Sequence, residues 1–190
     1  MSKDILIKDN FLDDIDTLRK VALSQRFIYH LDAPTSVGWR GYRTWEISYL
    51  KEPIVQECRE KVLHYCCEHY NVDSNTIAIE TYFHISCSVQ ERQRLKRWHR
   101  DDQRHAGVIY LTPNAPLNAG TTVFINDKAI EIENKYNRLI LYPGFNKHGP
   151  TYLFGDGIDD GRMTVTFFIG DKEETESQIN YINMIREARG

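Results

Sequence analysis

Apolar positions change period twice along this chain. Over residues 13–24, Ile15, Leu18, Val21 and Ala22 fall on one face at helical spacing. Residues 53–70 repeat the pattern more fully. Pro53 suits a first turn, and Ile54, Val55, Cys58, Val62, Leu63 and Cys66 make an apolar stripe. Between them, residues 31–43 carry Pro34, Gly38 and Gly41 and read as a loop presenting Trp39, Arg40, Tyr42 and Arg43. After Asn75 the period drops to two. Short strands are expected over residues 77–89, 107–111, 121–125, 129–132, 138–142 and 162–169, separated by turns bearing Asn, Gly and Pro. The last twenty residues return to helix, with Ile179, Ile182 and Ile185 on one face.

This order predicts one domain over residues 1–190: a mostly helical part (1–75), a β core (76–170) and a C-terminal helix (171–190). The class is mainly β with flanking helices, α+β in layout, and strands at this spacing suggest a sandwich or barrel. A helical layer on one sheet is the natural arrangement.

Composition narrows the setting. The chain has 190 residues, 41% hydrophobic and 12% aromatic with eleven tyrosines, which suits a strand-rich globular domain. A net charge of −3 gives no reason to expect nucleic acid or an anionic membrane as partner. There is neither an apolar run long enough for a membrane span nor an N-terminal apolar core typical of a signal peptide. Cys58, Cys66, Cys67 and Cys87 form no CxxC pair, and adjacent Cys66 and Cys67 suit no disulfide framework. They read as reduced thiols of a cytoplasmic protein.

The chemistry lies in the β region. His99 and Asp101 stand two apart, so an extended backbone turns both side chains to one face. Alone, such a pair is equally a polar surface loop. His148, between Pro143-Gly144 and Gly149-Pro150, adds a second imidazole at a rigid turn. Two histidines and a carboxylate form the facial triad that suits Fe(II) and leaves coordination positions open. Arg162 then opens a strand on which it shares a face with Thr164, Thr166 and Phe168, opposite Met163, Val165 and Phe167. A cation inside an apolar strand needs a partner. A ligand carboxylate fits the guanidinium fork; Asp159 or Asp160 would be the internal alternative. Tyr110 can add a phenolic hydrogen bond to the same carboxylate, or serve as an ordinary strand tyrosine.

In order, the chain reads His99-x-Asp101, Tyr110-Leu111, Gly120-Thr121-Thr122, Pro143-Gly144, His148 and Arg162. This order, over about residues 77–170, resembles the 2-oxoglutarate/Fe(II)-dependent dioxygenases, especially their prolyl-4-hydroxylase-like branch. The opening Asp9-Asn10-Phe11-Leu12 is also similar to small members of that superfamily. Two departures stand out. Ala119-Gly120 replaces an expected Gly-Gly, and an acidic, glycine-rich stretch over 154–161 lengthens the interval from His148 to Arg162.

The resemblance implies a double-stranded β-helix core, a jelly roll of cupin type. It implies Fe(II) on His99, Asp101 and His148. It implies 2-oxoglutarate chelating the iron, with its far carboxylate held by Arg162, helped by Tyr110 and Thr164. It implies O2 as oxidant and succinate and CO2 as products. Members that halogenate lack the carboxylate kept here as Asp101, so hydroxylation is implied. The substrate is left open between a protein side chain, such as proline, and a small molecule.

Two rival functions share the fold: a nucleic-acid demethylase, disfavoured by the acidic net charge, and a non-catalytic cupin-like binder of metal or ligand. The segment 92–104 is basic and carries Trp98, but Asp101 and Asp102 dilute it, and it reads as a solvated loop. His-Arg-Asp also occurs in protein-kinase catalytic loops, but Ala106 stands where an Asn is required. His30, His64, His69, His84 and His105 read as structural or surface residues.

Overall fold

The computed structural model describes residues 4–33, 39–89 and 98–189. In chain order the elements are β1 (Leu6–Lys8), α1 (Ile15–Ser24), β2 (Ile28–Tyr29), β3 (Tyr42–Arg43), α2 (Pro53–Tyr70), β4 (Ile77–Ser86), β5 (His105–Tyr110), β6 (Thr121–Ile125), β7 (Lys128–Ile132), β8 (Leu139–Pro143), β9 (His148–Pro150), β10 (Arg162–Asp171) and α3 (Lys172–Arg189). Single 3-10 turns lie at His30–Asp32 and Ser74–Thr76.

The strands form two antiparallel sheets that together make a jelly-roll core. The large sheet runs β1-β8-β5-β10-β4-β3-β2 and the small one β7-β6-β9. β10 lies in the middle of the large sheet, paired along its length with β4 and over Thr164–Ile169 with β5. β6 turns into β7 through Asn126 and Asp127, both at positive φ (48° and 61°). That is the mirror-image two-residue turn that suits twisted hairpins.

Strand alternation divides the large sheet into two faces. Ile79, Phe83 and Ile85 of β4 and Met163, Val165, Phe167 and Ile169 of β10 join α1 and α2 in the main core. Phe83, Ile85, Val165 and Phe167 are fully enclosed, each worth roughly 1.5–3 kcal/mol of transfer from water. A smaller cluster between the sheets contains Ala106, Val108, Tyr110, Val123, Ile132, Ile140 and Tyr142.

Local signals set the helices. Asp14 Oδ1 accepts the Thr17 amide at 3.1 Å ahead of α1. Pro53 opens α2, and Asn71 ends it in the left-handed conformation (φ 55°). Helix α2 is tied to the sheet through Arg59, which donates to Glu46 Oε1 at 2.8 Å and to the Ile79 carbonyl at 3.1 Å. The Glu46 side chain is fully buried and also accepts the amides of Ser48 (2.8 Å) and Thr81 (3.1 Å).

Several local expectations change. The strand expected over 77–89 ends at Ser86. The helical N-terminal part also delivers β1, β2 and β3 to the large sheet. The loop expected over 31–43 contains β3; its residues 34–38 lie outside those described, as do residues 92–97 of the basic stretch 92–104. Gly41 makes β3 possible: its φ is 91°, and a Cβ there would stand 2.2 Å from the Ile85 carbonyl oxygen. The four cysteines form no disulfide. Burial pushes the Cys58 and Cys66 thiols up to about 12. No helix among the described residues is long and apolar enough to cross a membrane.

Candidate metal centre and adjoining pocket

The backbone assembles the three candidate ligands. His99 donates its amide to the His148 carbonyl at 2.9 Å and accepts the His148 amide at 2.8 Å. Asp101 donates its amide to the Gly144 carbonyl at 2.9 Å. Gly144 packs so closely here that a Cβ would stand 2.1 Å from the Gln103 carbonyl oxygen. The ligand atoms of His99, Asp101 and His148 all lie within 4.8 Å of one another. His148 Nε2 is 3.1 Å from Asp101 Oδ2, and His99 Nε2 is 3.5 Å from Asp101 Oδ1.

This arrangement fits a cation. His148 Nδ1 lies 2.7 Å from the Asn146 carbonyl oxygen, which can only accept, so Nδ1 carries the proton. In the neutral ring Nε2 then presents its lone pair toward Asp101. Asp101 Oδ2 is buried with no hydrogen-bond partner among the described residues. Two acceptors facing each other at this distance repel unless a positive charge, a metal ion or a proton on Nε2, stands between them. Two ligand atoms at right angles, each about 2.1 Å from one ion, stand about 3 Å apart. The His148–Asp101 separation matches that value. The His99 side chain is 53% exposed and leaves the cluster open on its side.

Arg162 sits deeper, 6% exposed at the start of β10. Its Nε donates to the Ala119 carbonyl at 3.1 Å and Nη2 to Thr121 Oγ1 at 2.9 Å. Its guanidinium lies 5.3 Å above the Tyr110 ring. The Tyr110 hydroxyl also donates to Thr121 Oγ1, at 2.9 Å. Thr121 Oγ1 thus accepts twice, and its own proton is available to the pocket. None of the ion pairs among the described residues includes Arg162. Asp160 is occupied elsewhere, accepting the Asp156 and Gly157 amides at 2.9 and 3.0 Å. Burial lowers the Arg162 pKa from its usual value. Thr164 shares the strand face with Arg162, but its hydroxyl is engaged with Thr166 Oγ1 (3.1 Å) and the His84 carbonyl (3.4 Å).

The triad and Arg162 open into one cavity of about 510 Å³. Thr121, Tyr142, Gly149 and Leu153 line it beside the triad. Its far wall is formed by Arg43, Glu80, Tyr82, His84, Thr166 and Phe168. Burial pushes the Glu80 carboxyl up, and Oε2 accepts the Tyr82 hydroxyl at 2.8 Å. Burial, with the Arg43 charge second, draws the His84 imidazole down to about 3. Sequence reasoning missed the part of this wall that β4 supplies. The available signal was the row Glu80, Tyr82, His84, Ser86 on one face of a strand whose other face is Ile79, Thr81, Phe83, Ile85.

No protein-family model and no curated protein sequence matches the chain. Solved structures do match it in fold. A 2OG-Fe(II) oxygenase family oxidoreductase from Burkholderia pseudomallei superposes with a TM-score of 0.63 at 10% identity, covering 89% of this chain and 85% of that one. A Trichoplax adhaerens prolyl hydroxylase, solved with a hypoxia-inducible-factor peptide, gives 0.56 at 15% identity, covering 91% and 86%. HygX from Streptomyces hygroscopicus, solved with nickel, 2-oxoglutarate and hygromycin B, gives 0.58 at 10% identity, covering 88% and 82%. The chain thus has the fold of 2OG-Fe(II) oxygenases. At these identities the likeness is one of fold.

Proposed function

We propose that the protein is a non-haem Fe(II)- and 2-oxoglutarate-dependent oxygenase that hydroxylates a small molecule or a protein side chain. The observation that carries this reading is Asp101 Oδ2, buried without a hydrogen-bond partner among the described residues and 3.1 Å from His148 Nε2, in a cavity that also holds a buried arginine that no ion pair among those residues includes. His99, Asp101 and His148 would hold the iron. Bound there with 2-oxoglutarate and O2, iron supplies oxidative decarboxylation to succinate and CO2 and oxidation of a substrate C–H bond.

The chain's own residues have separable tasks. The Asn146 carbonyl fixes the His148 tautomer, so that Nε2 and not Nδ1 faces the metal position. Arg162 pairs with the far carboxylate of 2-oxoglutarate, and the free proton of Thr121 adds a third donor. Tyr110 acts from below: its hydroxyl is spent on Thr121, so it positions the pair. Val108, Leu153 and Phe168 keep part of the wall apolar and limit water.

The cavity volume lies in the range of small-ligand sites, which suits a small molecule or one inserted side chain. The solved neighbours include one with a peptide and one with hygromycin B. Anaerobic titration with Fe(II) and then 2-oxoglutarate tests the reading. A visible metal-to-ligand charge-transfer band is expected; its absence in the wild-type protein would overturn the proposal.

A further inference from the structure

The cavity contains a second guanidinium that neither the metal nor the co-substrate needs. Arg43 projects from β3 beside His84. Its Nε is shut off from solvent without a hydrogen-bond partner among the described residues, and no ion pair there includes it. Rings surround it instead: Tyr82 at 4.8 Å, Trp39 at 5.4 Å and Phe168 at 5.5 Å from the guanidinium carbon. Cation–π contacts return about 0.5–2 kcal/mol each. Withdrawing a cation from water costs several kcal/mol; among the described residues the Glu80 and Asp101 carboxylates act on it only from beyond ion-pair distance, so a closer counter-ion is still wanting there. Burial draws its pKa down to about 10, which leaves it charged at neutral pH.

The cavity as a whole has the same bias. Among the described residues Arg40, Arg43, Arg100 and Arg162 line it against Glu80 and Asp101, in a chain whose net charge is −3. On the oxygenase reading, Asp101 serves the metal and Arg162 the co-substrate. Arg43 stands two strands from Arg162 and two residues along, since they pair with His84 and Ser86 of the intervening β4. That separates their Cα atoms by roughly 12 Å. They form two anion positions, and one is unassigned.

We propose that Arg43 binds a carboxylate of the prime substrate, which is therefore an acid. A slot walled by three rings suits a planar carboxylate on one guanidinium fork; a phosphate dianion asks for more donors than the slot offers. The acid is either a free small molecule or an acidic side chain of a peptide. This inference rests on the oxygenase reading for the roles of Asp101 and Arg162.

The test uses matched probes on wild-type protein, with and without anaerobic Fe(II) and 2-oxoglutarate. Phenylacetate is compared with phenylacetamide, N-acetylglutamate with N-acetylglutamine, and a blocked Gly-Glu-Gly peptide with its Gln counterpart. Binding is read from tryptophan fluorescence, to which Trp39 beside Arg43 contributes, and from the thermal midpoint. At least one acid should bind at least tenfold more tightly than its amide. Whether the free acids or the peptide respond identifies the source. Arg43→Gln should remove the preference while leaving the 2-oxoglutarate Kd, read from the charge-transfer band, within twofold. Arg43→Lys should keep the preference at lower affinity, which separates lost charge from lost fold. The inference is overturned if no acid binds, if acids and amides bind alike, or if Arg43→Gln weakens 2-oxoglutarate as Arg162→Gln does. Absence of the band in wild type would instead overturn the oxygenase reading, which the metal-free titrations keep separate.

Discussion

His99 and His148 exchange both backbone hydrogen bonds, at 2.9 and 2.8 Å, although they lie far apart in sequence. The pairing brings their rings to 4.5 Å between centroids. The candidate ligand set is therefore held by main chain and does not need a metal to draw it together.

Replacing His99 by Ala should consequently spare the fold. The side chain is half exposed, and metal-free His99→Ala is expected within about 0.5 kcal/mol of metal-free wild type by urea denaturation. Its Fe(II) affinity should fall far beyond the 10–100-fold that loss of a mere supporting residue costs. Calorimetric titration with Fe(II) under argon checks this.

Arg162→Gln should leave iron binding intact and weaken 2-oxoglutarate. Losing a buried, hydrogen-bonded charge pair costs about 2–5 kcal/mol, so the Kd should rise at least thirtyfold. Tyr110→Phe should act more mildly, because its hydroxyl touches Thr121. Both follow from the charge-transfer titration.

Glu46→Ala should be the most damaging of these changes to stability. It strands Arg59, whose side chain is 13% exposed, and two backbone amides. Breaking a buried pair this way costs about 3–5 kcal/mol. Chemical denaturation should show a lower midpoint with an unchanged slope.

His84 should stay neutral well into acid. Burial first and the Arg43 charge second disfavour its imidazolium, placing its pKa at about 3 against 6.5 for a free histidine. The unfolded chain takes up this proton more readily, so the contribution to stability is complete above pH 6.5 and declines as pH falls toward 3. The His84 ring resonances should show no titration between pH 8 and 5 by NMR. Arg43→Gln should raise the midpoint.

Much of this was legible in the chain. Strand 121–125 and helix 53–70 carry unambiguous periods and bounded ends, and both appear as expected. Arg162, Thr166 and Phe168 face the cavity as alternation along β10 requires. Strands β2 and β3 have two residues each, too few for any period to show. They exist because Ile28 and Tyr29 pair with Arg43 and Tyr42, and Tyr42 and Arg43 with Ile85 and His84. The pairing of Arg43 was hidden for that reason: in sequence it is a cation of a loop, and the partner strand β4 is what directs it. Thr164 shows a different limit. Alternation assigned it the right face, but the neighbouring hydroxyl and carbonyl that occupy it are contacts between strands and within the folded sheet.

Both long central strands of the large sheet sort their residues by parity. In β4 and β10 alike, even-numbered positions such as Glu80, His84, Arg162 and Thr166 line the cavity, and odd-numbered ones such as Phe83 and Phe167 enter the apolar layer. Point substitutions on the even row can re-tailor the cavity without disturbing the layer behind it. A single inserted or deleted residue in either strand cannot, because it would send charged side chains into that layer and aromatic ones into the cavity. The frame is thus open to change in chemistry and closed to change in length.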